Sequence, residues 1–450
     1  MTARAELAKA AATSVFEQLR ARGYSAYFVG GCVRDLLLGT APQDYDVATS
    51  ARPEQVMSLF PETIAVGAQF GVVLVVMRTE GESPIHVEVA TYRNDVGYSD
   101  GRHPDAVRYS DTPQEDVQRR DFTLNGLLLD PISNEVLDYV GGRADLERKI
   151  IRTIGDPRQR FHEDKLRMMR AVRFAARLGY EIEPKTLTAI RELARDVHQV
   201  SRERIRDELD KMLTEGHARR CFELLDESGL LIEVLPEVNA MKGVAQPPQY
   251  HPEGDVWTHT LMLLEGLEKG CSKALAWGVL LHDVGKPPTF RLAPDRIRFD
   301  NHAEVGMRMA EEICRRLRFP NDLTTQVAVL VANHMRFADV KKMKESTLKR
   351  FLRLDHFDEH LELHRLDCSA SHGDLTLYEF AKQKLANTPE QEIRPEPLIT
   401  GHDLIQQGWL PGPEFRTVLQ AVEDAQLEGA LRTREEAISF LETNFPRQNH

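Results

Sequence analysis

The stretch YFVGGCVRDLLLGTAPQDYDVAT (27–49) places three features in a fixed order: an apolar run into Gly30-Gly31, then Arg34-Asp35 opening a helical pattern, then Asp44-x-Asp46 leading into a second apolar run. Adjacent glycines let backbone N–H groups approach a phosphate chain closely, and a helix start with Arg34 beside it adds positive potential. Residues i and i+2 of a strand share a face, so Asp44 and Asp46 are expected to sit together on one side of a strand and to hold two Mg²⁺ ions. Each feature alone is common: a Gly-Gly turn occurs widely, and a DxD pair also reads as a solvated loop or a helix cap. Their succession within one short segment points to a phosphate-handling metal site.

Working outward, residues 25 to 140 mix short β-rich runs (SAYFVGG, GVVLVVM, HVEVATY) with polar turns, which predicts a small α+β domain with a mixed or antiparallel sheet. From Asp164 onward the apolar and charged spacing is helical throughout, broken by the Pro/Gly-rich segments VAQPPQYHPEGD (244–255) and NTPEQEIRPEPLITG (387–401). These breaks divide the chain into a head (1–142), a helical neck (143–243), a third domain (244–386) and a helical tail (387–450). At 450 residues, several domains are expected. No apolar run is long enough for a membrane span, and the N-terminal MTARAELAKAAATSVFEQLRARG has helical spacing without a signal-peptide core, which predicts a first helix of a cytoplasmic protein with no membrane partner. The 5 cysteines are scattered and never form a CxxC pair, consistent with buried thiols in a reducing compartment. The net charge of −12 excludes a uniformly basic surface, while Lys and Arg outnumber Asp and Glu between Arg158 and Arg220, so a local positive track for nucleic acid is available.

The segment GGxVRDxxLGxxxxDxDVAT resembles the head of the nucleotidyltransferase superfamily, in the branch of bacterial class II CCA-adding tRNA nucleotidyltransferases and bacterial poly(A) polymerases. The likeness continues along the chain. VATYRNDVGYSDGRHPDAVRY (89–109) resembles a flexible loop between catalytic strands, and RRDFTLNGLLLDP (119–131) a ribose-binding motif. By that match Gly30, Gly31 and Arg34 contact the nucleotide, Arg120 touches it as well, and Asp121 and Asn125 shape the sugar pocket. Gly126 stands where such proteins usually carry Ala. DYVGGRADLERKIIRTIGDP (138–157) resembles the hinge from head to neck. Taken alone, Arg119-Arg120-Asp121 also reads as a surface ion-pair cluster.

FHEDKLRMMRAVRFAARLGY (161–180) reads as one amphipathic helix, with Leu166, Met169, Val172 and Ala176 on an apolar face and Arg167, Arg170 and Arg173 recurring every third residue. A solvated basic face has the same pattern. The resemblance to an EDxxR motif implies instead that Asp164 and Arg167 read the incoming base, while Arg170 and Arg173 approach its phosphates or base. Further on, His259, His282-Asp283, His302, His334 and Asp367 follow the order H…HD…H…H…D, which resembles the HD phosphohydrolase superfamily. Imidazole and carboxylate ligands suit divalent transition metals such as Ni²⁺, Mn²⁺ or Co²⁺. His259, His282, Asp283 and Asp367 match a four-ligand mononuclear pattern, with the His-Asp pair expected on a helix, and His302 and His334 would admit a second ion. This resemblance implies phosphatase or 2′,3′-cyclic phosphodiesterase action on tRNA ends. The tail resembles a segment that helps hold the tRNA elbow.

Together these readings imply template-independent addition of CMP and AMP, from CTP and ATP, to the 3′ end of tRNA, with Asp44 and Asp46 as catalytic metal ligands. Partial CC- or A-addition uses the same motifs. Poly(A) polymerase is a third reading, although AVGAQFGVV (65–73) lacks the arginine-rich run common in that group. From other classes come an HD phosphohydrolase with a degenerate transferase head, against which the intact Asp44/Asp46 pair argues, and a non-catalytic RNA-binding protein, in which two metal-ligand sets would have no purpose.

Overall fold

The computed structural model describes residues 3–67, 70–78, 83–97, 106–249, 251–294 and 296–445. They form two compact units, Met1–Asn239 and Ala240–His450. Among the described residues no helix is long and apolar enough to cross a membrane.

The first unit opens with α1 (Ala3–Ala21), β1 (Ala26–Val29), α2 (Gly31–Leu37), β2 (Asp46–Thr49) and α3 (Pro53–Leu59). There follow β3 (Thr63–Gly67), β4 (Val72–Met77), β5 (Ile85–Thr91), a β6–β7 hairpin (Arg93–Val96, Ala106–Tyr109), α4 (Pro113–Gln118), β8 (Leu127–Leu129) and β9 (Val136–Asp138). Seven strands make one mixed sheet in the order β3-β4-β5-β2-β1-β8-β9. Only β2 and β5 pair in parallel, and they set Asp46 opposite Glu88. The fold class is therefore α+β, with the β-rich runs of the sequence forming β1, β4 and β5. Alternation buries Val73 and Val75 of β4 and Val87 and Val89 of β5. Ala12, Val15, Phe16 and Leu19 of α1 are buried as well, and Phe16 meets Phe28 edge to face at 6.4 Å. Residues 98–105 of the loop read at 89–109 lie outside the described residues, as do 68 and 69 of the segment 65–73.

The neck follows as α5 (Gly142–Arg148), β10 (Ile150–Ile151), α6 (Pro157–Glu163), α7 (Leu166–Leu178), β11 (Glu181–Ile182), α8 (Pro184–Leu193), α9 (Arg202–Thr214), α10 (Ala218–Glu227), α11 (Leu230–Val234) and α12 (Pro236–Asn239). Leu166, Met169, Val172 and Ala176 are all buried, so the apolar stripe of α7 is the one the periodicity marks. Gly179, at φ 65, ends that helix in the left-handed conformation that glycine tolerates best.

One continuous helix over 161–180 is not what forms. α6 stops at Glu163, Asp164 is extended (φ −146, ψ 104), and α7 starts at Leu166. The Asp164 carboxylate accepts the Leu166 N–H at 3.1 Å, the kind of short-range competition by which aspartate ends one helix and starts the next.

The second unit contains α13 (Val256–Glu265), α14 (Lys273–Leu281), α15 (Lys286–Thr289), a β12–β13 hairpin (Phe290–Leu292, Ile297–Phe299), α16 (His302–Arg316), α17 (Asn321–Asn333), α18 (Glu345–Leu352), α19 (Phe357–Ala370) and α20 (Thr376–Asn387). The tail adds α21 (Glu390–Ile393), α22 (Gly401–Gln406), α23 (Glu414–Leu427) and α24 (Arg434–Asn444). The hairpin and β11 correct the expectation of purely helical structure after Asp164; strands this short leave no readable period. Ile393 packs with Phe337, Phe351 and Phe357, whereas Ile399, Leu404, Val418 and Leu441 form a separate tail core. Four cysteines are buried, and Cys271 is only partly so.

Candidate active sites

In the first unit the sequence motif folds around Gly30. Its φ of 77 favours glycine, and a Cβ there would lie 3.7 Å from Arg120 Nη1 and 3.8 Å from Asp46 Oδ2. Asp46 begins β2, but Asp44 precedes the strand and is exposed, so the two carboxylates reach this region from strand and loop rather than from two rungs of one strand. Burial pushes the Asp46 carboxyl up to about 7, Glu88 across the sheet and Asp44 add to the rise, and Arg120 opposes it. Asp44 and Glu88 thus add carboxylate charge near Asp46, and oxygen donors of this kind are what Mg²⁺ prefers.

Behind this cluster runs a chain of polar contacts. Arg34 is buried, donating through Nη1 to Asn125 Oδ1 at 2.9 Å and through Nε to Asp35 at 2.8 Å. Asn125 Nδ2 donates to Asp121 Oδ1 at 3.2 Å, and Arg170 of α7 donates twice to Asp121 Oδ2, at 3.0 and 2.7 Å. Burial acts to raise the Asp121 carboxyl, but Arg170, helped by Arg167 and the Asn125 amide, holds it down to about 2. Arg119 and Arg120 both pair with the buried Asp116, at 2.7 and 2.9 Å, so they form a largely sheltered cluster rather than a surface one. A Cβ on Gly31 would lie 3.5 Å from Arg34 Nη2. A Cβ on Gly126 would stand 2.8 Å from Val140, 3.0 Å from Ile154 and 3.1 Å from Val117; the side chains here fill the space an alanine would take.

Around the helix break, Arg204 of α9 grips the Asp164 carboxylate with both terminal nitrogens, at 3.1 and 2.8 Å. Arg167 pairs with Glu163 at 2.8 Å and donates to the Arg119 carbonyl at 3.0 Å. Asp164 and Arg167 are thus neighbours across a turn, not on successive turns of one helix. Arg173 is turned inward onto Glu208 at 2.7 Å, and Glu208 also lies 4.0 Å from Arg170. Glu88, Arg204 and Glu208 escape a reading of the sequence. Glu88 is one polar residue of an alternating strand, and the two others reach their partners across 40 and 35 residues.

In the second unit, His259 on α13, His302 at the start of α16, His334 just beyond α17 and Asp367 on α19 converge on His282 and Asp283. The His-Asp pair lies in the turn after α14 ends at Leu281, not within the helix. His282, His302 and His334 contact the carbonyls of Val279, Phe299 and Val331 through Nδ1, at 2.8, 2.9 and 2.7 Å, leaving each Nε2 for the cavity. Two ligand groups result, His259-His282-Asp367 and Asp283-His302-His334. Asp283 joins them: its Oδ2 is 3.1 Å from His282 Nε2, and its Oδ1 is 3.6 and 3.7 Å from His302 and His334. The mononuclear set read from the sequence is therefore divided between two halves of one cluster.

Both ring nitrogens of the buried His259 and the His282 Nε2 have no aligned hydrogen bond although carboxylates surround them. Burial pushes His302 down to about 4, which keeps it a neutral donor. Orphaned imidazole nitrogens facing carboxylates fit a divalent transition-metal centre. Asp283, His302, His334 and Asp367 of the cluster line a cavity of about 700 Å³, which Arg296, Arg298, Phe299, Met335 and Leu377 also line. Lys286 bridges Asp283 at 2.7 Å and Gln246 at 2.6 Å.

These two sites define a class: a nucleotidyltransferase-type head and neck followed by an HD domain. Residues 26–152 match the poly A polymerase head domain, 179–242 the probable RNA and SrmB-binding site of polymerase A, and 255–363 the HD domain. A CCA-adding enzyme of Geobacillus stearothermophilus is 45% identical over 219 residues, 49% of this chain and 53% of that protein. One of Lactobacillus johnsonii is 40% identical over 259 residues, 57% of this chain and 64% of the relative. The matched region thus spans between half and two thirds of the length of these curated relatives. Among solved structures, the Bacillus stearothermophilus CCA-adding enzyme in complex with CTP superposes with a TM-score of 0.72 at 29% identity, covering 96% of each chain. The Thermotoga maritima CCA-adding enzyme complexed with tRNA shares the fold, with a TM-score of 0.57 at 18% identity over 96% of this chain and 94% of that one. The chain thus carries a poly A polymerase head domain and an HD domain, and over about half of its length it is similar to CCA-adding enzymes.

Proposed function

We propose that the chain adds CMP and AMP from CTP and ATP to the 3′ end of tRNA, as a cytoplasmic enzyme with a head (1–142), neck (143–243), HD domain (244–386) and tRNA-holding tail (387–450). The observation that carries this reading is the carboxylate cluster of Asp44, Asp46 and Glu88 beside the positive-φ Gly30 and Arg120, backed by the Arg34–Asn125–Asp121–Arg170 chain. Mg²⁺ held by Asp44 and Asp46 supplies the charge that activates the 3′-OH and neutralises the pyrophosphate leaving group. Gly30 and Gly31 let the backbone approach the triphosphate, and Arg120 faces it. Asp121 and Asn125, oriented by Arg170 and Arg34, shape the sugar pocket, while Asp164 and Arg167 select the base and Arg173 braces α7. The names of the relatives agree with this substrate class. The test is extension of tRNA transcripts ending before CCA, after C and after CC, each with single NTPs at nucleotide resolution. Complete CCA synthesis is expected; stopping after CC, adding only A, or adding a long A tract would replace the reading with one of its relatives.

The HD domain carries a second reading, metal-dependent phosphohydrolysis of tRNA ends with Ni²⁺, Mn²⁺ or Co²⁺, favoured by the convergence of six ligand residues, four of which line one cavity. His282→Ala with Asp283→Ala should remove hydrolysis of a 2′,3′-cyclic phosphate end and spare nucleotide addition. A wild type that hydrolyses no such end with any of these metals would make the domain structural.

A further inference from the structure

His259 differs from His282, His302 and His334 of the HD cluster in what lies against its Nδ1. The other three rest on a neutral carbonyl three residues back in their own turn. His259 Nδ1 instead lies 2.7 Å from Oε1 of Glu253, a carboxylate only 5% exposed. The same oxygen lies 2.8 Å from Nδ1 of His251, whose ring crosses that of His259 edge to face with centroids 4.8 Å apart. The chain around Glu253 is pinned. Gly254 turns at φ 118, and the next residue, Asp255, caps α13 through the Thr258 N–H at 2.8 Å and accepts the Gly243 N–H at 2.6 Å.

A buried anion against Nδ1 keeps the proton on that nitrogen. Nε2, beside Asp367 at 3.1 Å and Asp283 at 3.9 Å, is then the nitrogen that would give its lone pair to a metal. Hydrogen-bonded carboxylates behind a ligating imidazole also make it a stronger donor. The alternative, that His251, Glu253 and His259 hold an ion of their own, would require His259 to ligate through both ring nitrogens at once. It would also require Glu253 Oε1 to give up two imidazole partners.

We propose that Glu253, held from its other side by His251, is the positioning residue of the HD metal centre, fixing the His259 tautomer and tightening metal binding through its charge. This rests on the reading of the HD cavity as a metal centre.

The test titrates Co²⁺ into the full chain, in excess Mg²⁺ to occupy the oxygen-only site of the head, and follows the visible absorption of bound Co²⁺. Glu253→Ala should weaken Co²⁺ binding about 10- to 100-fold, the range for losing such a partner. Glu253→Gln keeps the volume and an acceptor oxygen but not the charge, and should fall between Glu253→Ala and the parent. The glutamine variant decides the matter if the alanine variant does not fold. Parent-like Co²⁺ affinity, within about twofold, in Glu253→Gln and in folded Glu253→Ala would overturn the role of Glu253. Failure of the parent itself to bind Co²⁺ would overturn the metal-centre reading on which it rests.

Discussion

Asp46 and Glu88 face each other across the only parallel strand pair of the head sheet, and this pairing is one reason the Asp46 carboxyl stays protonated to about pH 7. A raised folded-state pKa stabilises the metal-free protein at low pH, and that stabilisation is lost as pH rises through about 7. Mg²⁺ needs the carboxylate, so its affinity should rise from pH 6 to pH 8 with release of a proton. Glu88→Gln should move this midpoint downward, whereas Asp44→Asn or Asp46→Asn should abolish nucleotide addition in a folded protein. Isothermal titration at several pH values checks the first two; a Mg²⁺ affinity flat between pH 6 and 8 would contradict the coupling.

Arg204 holds both oxygens of Asp164, so on the proposed base-reading role this carboxylate is oriented before any nucleotide arrives. Cytosine and adenine each present an amino donor beside a ring-nitrogen acceptor, at N4 and N3 or at N6 and N1, which a carboxylate and a guanidinium can match. Uracil and guanine reverse that order and leave polar groups unsatisfied, a mismatch worth about 10⁴ in discrimination. Asp164→Ala and Arg167→Ala should impair use of CTP and ATP and relax rejection of UTP and GTP; Arg204→Ala should do the same more weakly. Parent-like kcat/KM ratios for all four NTPs in the Asp164 and Arg167 variants would rule the templating role out.

Asp121 keeps its charge in a sheltered place because Arg170 is there. Arg170→Ala should cost about 2 kcal/mol, less than the ~3–5 expected for a wholly buried pair because Arg170 is about a third exposed. Adding Asp121→Asn should restore part of the loss. The depressed pKa makes the pair's contribution present above about pH 4 and lost as pH falls toward about 2. Urea denaturation of the single and double variants at pH 7 measures the effect; additive losses would show that the two residues do not act as a pair.

Gly285 sits where a Cβ would approach the His302 carbonyl oxygen to 2.1 Å and the Gly306 nitrogen to 2.6 Å. Both are backbone atoms and cannot swing aside, so Gly285→Ala should push α16 away and cost about 3 kcal/mol, the upper end for an overpacked core. His302 should move from Asp283 with it, weakening Co²⁺ binding at the HD cavity. A calorimetric melting profile that overlies the parent's would contradict this.

Much of the protein is written in short-range patterns. The order of strand, Gly-Gly turn, helix and DxD segment, the apolar stripe of α7, and the succession of histidines and aspartates each lie within local stretches, where backbone geometry alone relates spacing to direction. What only the tertiary structure decided lies between elements. Alternation shows that Glu88 points away from Val87 and Val89, but the parallel register with β2 is what brings it to Asp46. The apolar period runs unbroken through Asp164, yet the helix stops there because that carboxylate takes the Leu166 N–H and Arg204 from a separate helix. Asp283 likewise serves both halves of the HD cluster only because residues of four other elements converge on it. Periodicity is a property of one backbone segment, whereas a buried charge takes its partner from whatever strand register and helix packing place beside it.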